Sequence, residues 1–94
     1  MQNLEMEKFD ELFKAVLTLG SVEDCRGFFE DICTIKELEA INQRLEVAKL
    51  LSCGKNYQEI SQTTGASTAT ISRVNKCLMY GSGYKNVLGK LKGE

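Results

Sequence analysis

Between positions 67 and 73 the chain carries Ser67, Thr68, Thr70, Ser72 and Arg73, with Ala69 among them. Four short hydroxyl side chains and one guanidinium suit base edges and phosphate oxygens better than a core, because each presents hydrogen-bonding groups to solvent. Such side chains need a rigid frame, and the spacing supplies one. Ile60 falls on a short preceding helix, and Gly65 is free to take positive φ at a turn. Ile71 and Val74 follow six and nine positions later, where a second helix must turn its apolar face back onto the first. Residues 57 to 76 therefore read as a helix-turn-helix. On that frame the candidate DNA-binding residues are Lys55, Gln58, Ser67, Thr68, Ala69, Thr70 and Ser72. Thr68, Ala69, Thr70 and Ser72 would enter the major groove, and Gln58 with Lys55 would lie against phosphates. The alternative is a helix pair that packs on another protein, a helical interaction module without direct DNA binding.

Charge supports the first reading. Residues 1 to 41 hold ten acidic and four basic side chains, whereas residues 42 to 94 hold three acidic and eight basic. The motif lies in the basic half, where a positive face would supply the sequence-independent part of binding to a duplex. Arg44 is one of those cations. It stands between Ile41, Val47 and Ala48, so its stem is expected to run along apolar surface while its head stays polar.

Other chemistries are poorly supplied. Cys25, Cys33, Cys53 and Cys77 are widely spread, with no Cys-x-x-Cys pair and no histidine in the chain, so no metal site is expected. The cysteines read as small buried apolar groups. Without histidine the usual acid–base residue and any Ser-His or Cys-His nucleophile are missing, and no enzyme is expected. No run approaches the roughly 18 apolar residues of a membrane span. The first residues lack a basic start followed by an apolar core, so a cytoplasmic location is expected and no membrane partner.

Ninety-four residues suggest one domain, 1–94. Glycines and Ser, Thr and Asn caps divide it into about six helices, an all-α fold. The first is expected from Glu5 to Leu19 with Gly20 ending it, its apolar stripe formed by Phe9, Leu12, Phe13, Val16 and Leu17. Ser21 opens the second with Asp24 as capping partner, and Val22, Cys25, Phe28, Phe29 and Ile32 form its expected buried stripe. Thr34 and Glu37 make a capping box for the longest helix, which runs to about Cys53 with Gly54 beyond its end. Its apolar positions cover more than one stripe, which places it among neighbours on both flanks. Asn56 with Glu59 caps the first motif helix. Ser67 caps the second, which runs to about Met79. Gly81 and Gly83 break the chain before a last amphipathic helix of Tyr84, Val87, Leu88 and Leu91.

Residues 34 to 78 resemble the Trp repressor family. The resemblance is carried by the segment from Thr34 to Arg44, by Leu50, Leu51 and Gly54, by Gly65 and Ala66, and by the run from Ala69 to Arg73. The short acidic N-terminal part is similar to the small YerC/YecD-like branch of that family. Relative to the repressor itself, one residue is missing between Gly54 and Gln58. The resemblance implies an intertwined homodimer whose two helix-turn-helix heads bind the half-sites of an operator in double-stranded DNA. It also implies a corepressor site in which two arginines sandwich an indole while a threonine and a serine hold polar groups. Those positions fall on Arg44, Arg73, Thr34 and Cys77, and the glycine that faces the indole becomes Val74. A thiol is a weak hydrogen-bonder, and valine adds bulk where a ring would lie, each departure costing about 1–3 kcal/mol. L-Tryptophan is therefore disfavoured, and a different small effector or none is expected. The chain as a whole reads as a dimeric regulator that represses by occupying its operator.

Overall fold

Residues 4–92 are described by a computed structural model, and among them every regular element is helical. A 3-10 segment, Leu4–Phe9, leads into α1 (Asp10–Leu17), followed by α2 (Val22–Ile32), α3 (Ile35–Ser52), α4 (Tyr57–Thr64), α5 (Thr68–Tyr80) and α6 (Gly83–Lys92). Backbone proximity divides the chain into two units, one ending at Leu38 and the other beginning at Glu39, so the division falls within α3.

In the first unit the opening helix differs from expectation at both ends. Its first turns, Leu4–Phe9, take 3-10 geometry, and α1 begins only at Asp10, where Phe9 at the cap position offers no side-chain hydrogen bond. It stops two residues early because Thr18 closes it, with its hydroxyl donating to Ala15 O at 2.7 Å. Gly20 belongs instead to the entry of α2, its N–H reaching Asp24 Oδ2 at 3.1 Å while Ser21 Oγ accepts from Asp24 N.

Neither α1 nor α2 contains a buried residue. Phe9 and Phe13 meet edge to face, as do Phe28 and Phe29. The expected buried stripe of α2 is half covered at Cys25, Phe28 and Phe29 but open at its two ends, Val22 and Ile32. Among the described residues the apolar stripe of α2 is thus only partly covered.

The second unit has a core. Val47 and Ala48 of α3, Ile60 of α4, Ala66 of the turn, Ile71 and Val74 of α5 and Leu88 of α6 are buried together, with Leu45, Leu50, Leu51, Leu78 and Tyr84 packed around them. Thr34 and Glu37 form their reciprocal capping box at the start of α3. At its other end Gly54 takes φ 85°, with Gly54 N–H bonded to Leu51 O and Lys55 N–H to Leu50 O. This Schellman arrangement satisfies two orphan carbonyls and turns the chain sharply into α4. At Gly81 the reason for glycine is space: an added Cβ would stand 2.9 Å from Cys77 O, the carbonyl that Gly81 N–H itself caps. Val87 and Leu91, expected on the apolar face of the last helix, are about half exposed, and Leu88 is its buried anchor.

Candidate nucleic-acid interface

The candidate interface is built on α4, the turn at Gly65 and the start of α5. Asn56 Oδ1 accepts from Glu59 N at 2.8 Å, and Glu59 Oε1 accepts from Asn56 N at 3.1 Å, so α4 begins with a complete capping box. It ends at Gly65, whose φ of 76° is the left-handed conformation that a side chain would penalise. Ile60, Ala66, Ile71 and Val74 then lock the two helices face to face.

Ser67 caps α5, its Oγ accepting from Thr70 N at 3.1 Å and also bonding to Thr70 Oγ1 at 3.1 Å. These bonds fix the Ser67 and Thr70 side chains, and Thr70 is half-buried. Thr68, Ala69, Ser72 and Arg73 are exposed on the first turns, and the first turn of α5 has no acidic residue to offset the positive end of the helix dipole. Lys55 and Gln58 are exposed at the entry to α4. The structure thus brings the seven DNA-contact candidates onto the helix-turn-helix and its immediate approach. Five lie free of intramolecular side-chain bonds, while Ser67 and Thr70 spend part of their capacity on each other.

Within the second unit the effector candidates separate. An open groove of about 980 Å³ runs between α3, α5 and α6, lined by Ile41, Arg44, Leu45, Lys76, Cys77, Tyr80, Tyr84 and Val87 with the backbone of Gly81 and Gly83. Arg44 and Cys77 are therefore together on this groove, with Ile41 and Leu45 in the same lining, whereas Val47 and Ala48, the other apolar neighbours expected of Arg44, are buried in the core. Arg73 does not line this groove. Val74 is 2% exposed and points into the core beside Ile60 and Ile71, so its bulk fills the protein interior rather than the groove. Thr34 lies in the first unit, with its hydroxyl accepting from Glu37 N.

The cysteines also differ from expectation. Cys25 and Cys33 are half-buried, but Cys53 and Cys77 are exposed, Cys53 at the end of α3 and Cys77 on the groove wall. Among the described residues no three Cys, Asp or Glu side chains come together as metal ligands, and no helix is long and apolar enough to cross a membrane.

Two features escaped the sequence reading. Lys76 and Tyr80 join Cys77 on the α5 side of the groove, Tyr80 one helical turn beyond it, and Tyr84, already expected on the apolar face of the last helix, closes it from α6. Gln43 donates from Nε2 to Thr64 O at 3.1 Å. Its signal was a polar side chain one turn before Val47, on a stripe that is otherwise apolar.

Fold and interface together define an all-helical protein with a helix-turn-helix in its second unit. The chain belongs to the Trp repressor family: the family model described as Trp repressor protein matches residues 7–92, through both units. It is similar to the uncharacterised protein YerC of Bacillus subtilis (strain 168), with 46% identity covering 98% of this chain and 89% of YerC. The crystal structure of a TrpR-like protein from Eubacterium eligens ATCC 27750 superposes with a TM-score of 0.89, at 45% identity over 96% of each chain. That of a candidate Trp repressor from Staphylococcus aureus gives 0.90, at 44% identity over 100% of this chain and 97% of the other.

Proposed function

We propose that this protein is a sequence-specific DNA-binding transcriptional regulator, a repressor that works as a homodimer by occupying its operator. The observation that carries the reading is the first turn of α5. It is capped, free of acidic residues and braced by a buried core, while Thr68 and Ala69 stand exposed on it and Ser72 just beyond it. A helix presented in this way suits entry into a major groove by its N-terminal residues. Thr68, Ala69, Thr70 and Ser72 would face base edges, and Lys55, Gln58 and Ser67 would orient the head against phosphates. Repression by occupancy calls for no catalytic group.

Homodimerisation is supported by the apolar side chains that one chain leaves uncovered. Leu17, Val22 and Ile35 are 83%, 68% and 70% exposed. An isologous partner would cover such a face on both copies at once, and it would present two α5 helices to successive major grooves about 34 Å apart.

The test is a mobility shift on random duplex at low and high salt, followed by selection of bound sites from a random pool. Retardation that weakens steeply with salt is expected, together with enrichment of a two-fold-symmetric site. Absence of retardation at low salt would turn the reading to the interaction module.

A further inference from the structure

Around the turn between α4 and α5 the hydrogen bonds close locally, and the Thr64 hydroxyl itself donates to Ile60 O at 2.8 Å. Gly65 N–H bonds to Ser61 O at 2.9 Å, Ala66 N–H to Thr64 Oγ1 at 3.1 Å, and Ser61 Oγ donates to Ala66 O at 2.9 Å. A further group, the carbonyl of Thr64, lies at the C-terminal end of α4, where intrahelical donors run out. It is satisfied from outside, by Gln43 Nε2 of α3 at 3.1 Å. Among the described residues this is the one side-chain hydrogen bond from α3 to α4, to the turn or to α5. A carbonyl can only accept, so the amide nitrogen must face it.

Apolar burial of Ile60 and Ile71 against Val47 and Ala48 holds the helix pair on α3, but burial is non-directional and tolerates sliding. A hydrogen bond of defined length and angle does not. We infer that Gln43 is a positioning residue of the helix-turn-helix: through the Thr64 carbonyl it sets where the turn, and with it the start of α5, stands against α3. It thereby sharpens discrimination among DNA sequences without adding to affinity for DNA in general. The second clause rests on the function proposed above; the first rests on the bond alone.

Gln43→Met keeps the stem and removes the donor, Gln43→Glu sets a carboxylate against the carbonyl, and Gln43→Lys restores a donor on an unbranched stem. Two readouts separate the clauses. The first is amide hydrogen exchange at Gly65 and Ala66, with Val47 and Ile71 as core references. The second is the ratio of affinities for a selected site and for random duplex at one salt concentration. In Gln43→Met, exchange at the turn should quicken about tenfold, as loss of one net hydrogen bond implies, with the core amides unchanged. The affinity ratio should fall by a similar factor while random-duplex binding stays within about twofold. Gln43→Glu should exceed both effects, and Gln43→Lys should recover them. Unchanged exchange at the turn in Gln43→Met and Gln43→Glu overturns the positioning role, as does equal weakening on both duplexes. If the unmodified protein prefers no duplex, the DNA reading fails instead, and the exchange measurement alone supports or overturns the role of Gln43.

Discussion

The two units of this chain are built from similar helices and reach opposite outcomes. From Glu39 onward, side chains of four helices and a turn converge on a core in which Val47, Ala48, Ile60 and Ile71 are fully buried. Up to Leu38 the amphipathic pattern is equally clear, yet α1 and α2 bury no residue. Charge follows the same line, with the acidic side chains concentrated before the division and the basic ones after it. Helices with an apolar face and no cover cannot draw much stability from their own chain, since helix stability in proteins comes mainly from packing that face. Under the proposed function the contrast would divide the work, the second unit bracing the recognition helices and the first offering its apolar faces to a second copy.

The largest effect should come from the core that braces the interface. Ile60→Ala removes a fully buried side chain between α4 and its neighbours, a change that costs about 2–5 kcal/mol. Chemical denaturation should show the loss, and DNA binding should fail with it. Leu12→Ala in α1, where Leu12 is 40% exposed, should cost far less at concentrations where the protein is monomeric. If the two substitutions cost the same in the monomer, the contrast between the units is wrong.

Assembly is probed by Leu17→Asp. A substitution at an exposed position with no partner usually stays within about 0.5 kcal/mol. Beneath a second copy, the same carboxylate would be desolvated without a counter-ion. The dimer dissociation constant should therefore rise at least about tenfold, equivalent to about 1.4 kcal/mol, with unchanged helix content. Sedimentation at micromolar concentration should move from about twice the chain mass toward one chain. An unmodified protein that sediments as a clean monomer would remove the assembly role altogether.

What was legible in the sequence divides along a physical line. Local chemistry was readable: the boxes of Thr34 with Glu37 and Asn56 with Glu59, the cap at Ser67 and the left-handed Gly65 all involve residues within a few positions of each other. So was the helical pairing that they punctuate. Tertiary consequences were not. The spacing put Val74 on the apolar face that meets α4, as found, but Cys77, three residues on and read as a small buried group, faces the groove, because the packing of α3 and α6 leaves that side of α5 open. Gln43 and Thr64 lie too far apart in sequence for spacing to pair them. In the first unit the pattern marked an apolar face but could not say whether the same chain or another covers it.

Within the interface, base reading and phosphate positioning should come apart. Thr70→Ala should cost about 1–3 kcal/mol on the preferred site and relax its sequence, as loss of a base-edge contact does. Because Thr70 N also bonds to Ser67 Oγ, and that bond survives the change, the helix cap should remain. Lys55→Ala should weaken preferred and random duplexes alike and flatten the dependence on salt. Competition binding at several salt concentrations measures both, and identical behaviour of the two variants would remove α5 from the groove.

The smallest expected effect is that of L-tryptophan, and its smallness bears on the groove. The family resemblance implies two arginines sandwiching an indole, but the cations at this groove are Arg44 and Lys76, and Arg73 does not line it. A guanidinium plane stacks on an aromatic face, whereas an ammonium on a flexible stem offers only a point charge. Cys77, where a serine would be implied, is a weak partner for a carboxylate. Val74 gives no obstruction in the groove, being buried in the core, so the expectation of weak tryptophan binding rests on poor stacking and poor hydrogen bonding alone. Millimolar L-tryptophan should accordingly leave the melting temperature and the DNA affinity unchanged. A ligand with a dissociation constant of about 10 μM would add about 2.7 kcal/mol at 1 mM, well within reach of a melting scan. Lys76→Arg with Cys77→Ser should move the response toward binding if the groove chemistry decides the matter. Stabilisation of the unmodified protein by tryptophan would instead show that the groove accepts an indole without the second guanidinium.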